Sequence, residues 1–128
     1  MSGPTDMTQT RMKIAIVDDD DSVRKALSRL LRSVGMDPEG FESGEGFLES
    51  LRSRQPDCVL LDVCMPGMDG AELLQRLTET GYRVPAIVIT AHDNEHVRDV
   101  FRAGGAVALL PKPLDDEVLL RAIRAAKK

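Results

Sequence analysis

Three apolar runs, Cys58 to Leu61, Val84 to Ile89 and Ala106 to Leu110, show no alternation of apolar and polar residues. A strand with one face in water alternates with a period of two, so uninterrupted strands must be covered on both faces, as in a parallel sheet flanked by helices. Each run is followed by a segment with helical spacing: Leu73 to Leu77, Val97 to Phe101 and Val118 to Ala126. Lys13 to Val17 followed by Val23 to Val34 repeats the pattern, and Met36 to Phe41 followed by Phe47 to Leu51 is a weaker unit. Strand and helix therefore alternate along the whole chain.

The helices carry their own punctuation. Val23, Leu27, Leu30, Leu31 and Val34 fall at i, i+4, i+7, i+8 and i+11, on one stripe of a helix. One of Asp20 and Asp21 caps that helix, and Asp69 with Glu72 reads as a capping box opening the third. Gly104 and Gly105 stop the fourth. In the last helix Asp115, Asp116 and Glu117 come early and Arg121, Arg124, Lys127 and Lys128 late, which complements the helix dipole. The 128 residues, 42% of them hydrophobic, supply one domain core and not two. The expected fold is α/β and flavodoxin-like: a (βα)5 doubly wound five-stranded parallel sheet in strand order 2-1-3-4-5, with ligands gathered outside the carboxyl ends of the strands. The domain spans residues 12–128, and residues 1–11 are a disordered polar tail.

Several function classes fall away on charge and composition. Seventeen Lys and Arg against 21 Asp and Glu give a net charge of −4, so this domain lacks the basic footprint of a nucleic-acid binder. No run approaches the ~18 apolar residues of a membrane span. Met1 to Arg11 has no apolar core, hence neither a signal peptide nor an anchor. Cys58 and Cys64 are too few for a disulfide framework and suit a reducing compartment, so the protein is expected in the cytoplasm.

Polar residues interrupt the pattern at strand ends: Asp18 and Asp19 after the first strand, Asp62 after the third, Thr90 after the fourth and Lys112 after the fifth. All of them meet on one edge of the sheet. Each has an ordinary explanation, as an N-cap, a strand threonine or a solvated lysine. Asp62 resists it: the next helix waits beyond Met65-Pro66-Gly67-Met68 for its own cap at Asp69, so Asp62 is spare as a cap. Three carboxylates on one rim raise each other's proton affinity unless a cation offsets them. A hard, all-oxygen ligand set suits Mg²⁺, which accepts one or two carboxylates plus phosphate oxygens. Lys112 then offers a point charge and Thr90 a hydroxyl donor to a phosphate, and the set as a whole is suited to phosphoryl transfer onto an aspartate.

Ile16-Val17-Asp18-Asp19, Leu61-Asp62-Val63-Cys64-Met65-Pro66-Gly67-Met68-Asp69-Gly70, Ile89-Thr90-Ala91-His92 and Lys112-Pro113 resemble the receiver domains of bacterial two-component response regulators. The likeness runs from Lys13 to about Ala126 without an insertion, and its flavour is that of nitrogen-fixation-type regulators, which share Val23-Arg24, Glu72-Leu73-Leu74 and Thr-x-His. The resemblance implies that Asp62 is the phosphoacceptor. It also implies that Asp19 binds the metal directly, that Asp18 holds its water shell, and that the Cys64 carbonyl completes the coordination. Thr90 becomes the switch hydroxyl, Lys112 the phosphate-binding lysine, and the Lys112–Pro113 bond cis. Cys64, Ala91 and His92 occupy positions that tune how fast water removes the phosphoryl group, though His92 reads equally well as an exposed loop residue. The implied partner is a sensor histidine kinase or a phosphotransfer protein.

One position departs from the family. Three residues before the lysine it usually carries Tyr or Phe, and here stands Leu109. Output would then pass through repacking of Leu109, Val97 and Phe101 and through the face made by the fourth helix, fifth strand and fifth helix, giving a phosphorylation-dependent homodimer. Two other classes share some of these parts. A Mg²⁺-dependent phosphohydrolase with an aspartyl-phosphate intermediate uses similar parts but needs a second acid at the place of Cys64. A flavodoxin-type binding module would set four aspartates, Asp18 to Asp21, against a flavin phosphate. Cys58, His96, Asp57, Met65 and Met68 are expected to be structural or surface residues.

Overall fold

The computed structural model describes residues 11–63, 69–92 and 94–127. Apart from Arg11, the expected polar tail lies outside these, as do Cys64 and the rest of the loop 64–68. The strands are β1 (Lys13–Val17), β2 (Asp37–Phe41), β3 (Cys58–Asp62), β4 (Ala86–Thr90) and β5 (Ala108–Pro111). The helices are α1 (Asp21–Ser33), α2 (Gly44–Ser50), α3 (Gly70–Thr80), α4 (Glu95–Ala103) and α5 (Asp116–Lys127). All strand pairs are parallel, in the order β2-β1-β3-β4-β5.

The uninterrupted apolar runs follow from what covers each face. Ala15, Val17, Val59, Leu61, Ala86 and Val88 point to one side, where they pack with Phe47 and Leu51 at α2, Leu73, Leu74 and Leu77 of α3 and Phe101 of α4. Ile14, Ile16, Cys58, Leu60, Ile87 and Ile89 point to the other, against Leu27 and Leu31 of α1 and Leu119 and Ile123 of α5. Alternate side chains thus enter two different cores, and both cores are apolar. Fully burying one such side chain stabilises by roughly 1.5–3 kcal/mol, so the three central strands anchor the sheet.

The two edge strands differ from the central ones. The sequence Asp-Pro-Glu-Gly-Phe of β2 has little strand propensity, yet it pairs with β1 from Lys13 against Asp37 to Val17 against Phe41. An edge position tolerates Pro38, whose missing N–H needs no partner on the open side. At β5 the expectation of a run buried from Ala106 to Leu110 is corrected. Val107 is 55% exposed and Ala108 and Leu109 are half-buried. With a neighbour on one side only, β5 keeps a partly open flank, and the connection through Ala106 closes α4 by an Ala106 N–H bond to the Phe101 carbonyl. Gly105, at φ +101°, makes the turn that no branched residue would accept.

Helix starts lie where side-chain acceptors meet free N–H groups, a turn ahead of the apolar stripes. Asp20 caps α1 through Ser22 and Val23, Ser43 caps α2 through Gly46, Asp69 caps α3 through Glu72 and Asn94 caps α4 through Val97.

Candidate functional site

Among the described residues, Asp18, Asp62 and Thr90 are the buried polar or charged side chains, at 5%, 8% and 2% exposure. All three sit at the carboxyl ends of β1, β3 and β4. The sheet register explains the convergence: Val17 lies opposite Leu61, Asp62 opposite Ile89 and Thr90 opposite Pro111. Parallel strands end on the same edge, so four separate segments deliver their last residue (Asp62, Thr90) or the one after it (Asp18, Lys112) to one rim.

Asp18, Asp19 and Asp62 each offer a carboxylate oxygen, and the three lie within 4.8 Å of one another. Lys112 Nζ stands 3.4 Å from Asp62 Oδ1, its side chain 38% exposed against 10% for Asp62. The lysine backbone is fixed too, its N–H donating to the Thr90 carbonyl at 2.8 Å, and the Lys112–Pro113 bond is cis. Thr90 Oγ1 accepts the His92 N–H at 2.9 Å, while Ala91 and His92 are exposed.

Electrostatics single out Asp18. Burial pushes its carboxyl above the usual carboxylate range; the Asp20 N–H, donating to Asp18 Oδ1 at 2.9 Å, opposes this, and the charge on Asp62 adds to it. An all-carboxylate oxygen cluster beside a single lysine is suited to a hard divalent cation and to an anion placed between cation and lysine.

The α3 amino terminus presses close behind Asp62. Gly70 donates to the Val63 carbonyl at 3.0 Å, and a Cβ at residue 70 would stand 3.0 Å from Val63 Cα and 3.3 Å from the Asp62 carbonyl oxygen. The β1–α1 loop is held from outside by Arg24, whose Nη1 donates to the Asp18 carbonyl at 2.6 Å. Arg24 entered the sequence reading only as part of a shared pattern. The signal for it was a cation near a helix amino terminus, where the dipole favours anions.

The remaining expectations sort by position. Leu109 is away from the rim, half-buried against the core that contains Phe101 and also receives Val97. Asp57, accepting the Lys13 N–H at 2.8 Å, is at the opposite end of β3. Cys58 is buried, which pushes its thiol up to about 12 and leaves it un-ionised at neutral pH. His96 is exposed on α4. Cys64, expected to contribute its carbonyl, lies outside the described residues, as do Met65 and Met68.

Comparison with known proteins gives the arrangement a family. The model of the response regulator receiver domain matches residues 14–124. The response regulator protein TodT of Pseudomonas putida is 39% identical over 127 residues, which is 99% of this chain and 56% of TodT. The transcriptional regulator NtrC of Klebsiella pneumoniae is 40% identical over 111 residues, 86% of this chain and 24% of NtrC. The chain therefore spans about half the length, or less, of these curated relatives. The solved structure of a response regulator receiver protein from Burkholderia phymatum superposes with a TM-score of 0.80 at 46% identity, covering 91% of this chain and 95% of that one. These matches favour two-component signalling over a phosphohydrolase. This chain belongs to the response regulator receiver domain family.

Proposed function

We propose that this receiver domain takes a phosphoryl group from the phosphohistidine of a sensor histidine kinase, or of a phosphotransfer protein, onto Asp62. The observation that carries the reading is the close set of Asp18, Asp19 and Asp62 with Lys112 at 3.4 Å from Asp62. An Asp62 oxygen attacks phosphorus, the P–N bond breaks, and the imidazole leaves with its electron pair and takes up a proton. Lys112 binds the phosphoryl oxygens, and the Thr90 hydroxyl, whose oxygen accepts the His92 N–H, donates to them.

Asp18, Asp19, Asp62 and the Cys64 carbonyl would hold Mg²⁺, which supplies charge neutralisation for the transferring group. Asp19 would be the direct ligand, and Asp18, with one oxygen already engaged by the Asp20 N–H, would act through water. The acyl phosphate so formed is hydrolysed by the domain itself, at a rate tuned by Cys64, Ala91 and His92. Output passes from Thr90 through Leu109 to the face of α4, β5 and α5, where Val100, Val107 and Val118 are exposed. No helix among the described residues is long and apolar enough to cross a membrane, and we place the work of the domain in the cytoplasm.

Incubation with acetyl phosphate and Mg²⁺ should give one shifted band on a phosphate-affinity gel, abolished by chelating the metal. An Asp62→Asn protein that shifted as fully as the wild type would overturn the assignment.

A further inference from the structure

Arg24 breaks a local rule. A cation one turn into α1 opposes the helix dipole, so its place needs another explanation. The structure supplies one: the guanidinium reaches back over the amino terminus and binds at both ends. Nη1 donates to the Asp18 carbonyl at 2.6 Å and Nη2 to Asp21 Oδ1 at 3.0 Å. The side chain is 18% exposed, far less than Lys25 beside it at 72%. Its aliphatic stem lies across β2 at Gly40, where a Cβ would meet Arg24 Cδ at 3.2 Å, so the absence of a side chain there makes room for the stem.

These contacts complete a closed set around the β1–α1 loop. The Asp18 N–H is held by the Phe41 carbonyl at the tip of β2, the Asp18 carboxylate by the Asp20 N–H, and the Asp18 carbonyl by Arg24. The Arg24 N–H returns to the Asp20 carbonyl at 3.1 Å. The peptide units on both sides of Asp18 are thereby held, and the second of them leads directly into Asp19. The guanidinium contacts the carbonyl of Asp18 and not its carboxylate, so its influence on the acidic cluster runs through the backbone.

We propose that Arg24 is a positioning residue for the metal site: its two-ended contact sets the loop conformation that turns the Asp18 and Asp19 carboxylates toward Asp62. This rests on the reading of these three aspartates as a divalent-cation site. Lysine cannot replace it, because a single ammonium on a differently shaped stem does not span a carbonyl and a carboxylate in a fixed fork. Groups that orient metal ligands from behind matter on the scale of about 10–100-fold in metal affinity.

The test is titration calorimetry of Mg²⁺ into wild-type, Arg24→Met and Arg24→Lys protein, with amide exchange of Asp18 to Asp21 in the metal-free state. Both substitutions should weaken Mg²⁺ binding by about tenfold and speed exchange of the Asp20 N–H, and phosphorylation by acetyl phosphate should recover at saturating Mg²⁺. Full rescue by lysine would assign the effect to charge and overturn the proposal, as would wild-type affinity in folded Arg24→Met. If Arg24→Met does not fold, Gly40→Ala reports instead, since it crowds the stem while leaving the guanidinium; unchanged Mg²⁺ affinity there would also count against the role. Wild-type protein that bound no Mg²⁺ would bring down the metal-site reading and this role with it. Binding by wild type with no loss in the variants removes only Arg24.

Discussion

Asp18 is charged at a cost. Its carboxyl has a higher proton affinity in the folded chain than in the unfolded one, chiefly through burial. The folded state therefore binds more protons, and ionised Asp18 lowers stability at every pH above the unfolded value; the penalty is relieved as pH falls through the raised folded value. Metal-free Asp18→Asn protein should accordingly melt above wild type at neutral pH, and the gain should shrink as pH falls toward the unfolded carboxyl range. Equal melting temperatures at neutral pH would contradict the sign. Toward Mg²⁺ the order changes: Asp19→Asn should weaken binding more than Asp18→Asn, because a ligand in contact gains more Coulomb energy than one acting through water. Calorimetry showing equal losses would reject that division. Asp18, Asp19, Asp62, Thr90 and Lys112 were legible in the sequence because they end apolar strands that finish on one edge, although each but Asp62 has an ordinary explanation when taken alone. Arg24 was not, since spacing along a helix does not reveal what a long side chain reaches across to touch.

Among the elements, α3 bears most directly on the site. Its first residue, Gly70, faces the backbone of Asp62 and Val63, and backbone cannot swing aside as a flexible side chain can. Gly70→Ala should cost about 1–3 kcal/mol in urea denaturation and slow labelling of Asp62 by acetyl phosphate, since relief of the contact displaces the end of β3. A loss under about 0.5 kcal/mol, within the ordinary range for surface changes, would show that the helix gives way instead. Asp69 marked the start of this helix in advance, and the Glu72 N–H does donate to Asp69 Oδ1 at 2.9 Å, while the Glu72 carboxylate pairs with Arg76 at 3.3 Å. Edge strands were harder to read. Asp37 to Phe41 announces its strand only weakly, as the weaker unit Met36 to Phe41, because pairing with β1 and not local preference makes it one. At Ala106 and Val107 the apolar run outlasts the burial, for an edge has only one neighbour to cover it.

For the molecule as a whole, phosphorylation signals only if the modified form favours a different surface. Leu109 and Val97 pack against the core around Phe101, and Val100, Val107 and Val118 lie exposed on or beside α4, β5 and α5. A beryllium fluoride adduct should therefore sediment as a dimer, with altered amide exchange from Asn94 to Leu110. Unchanged mass together with unchanged exchange would leave a phosphate relay without a switch. The parallel sheet has one more effect. Asp18, Asp62, Thr90 and Lys112 lie far apart along the chain and meet only after β1, β3, β4 and β5 have all paired. Contacts of such long sequence separation form late and together, since each must first overcome the entropy of closing its loop. If Asp62 is the acceptor proposed above, a nascent chain that has not yet released Lys112, or a molecule that has shed β5, would have the aspartate without the set that makes it one. On the proposed reading phosphoryl groups would go only to finished molecules, and the transfer chemistry itself would become a check on folding.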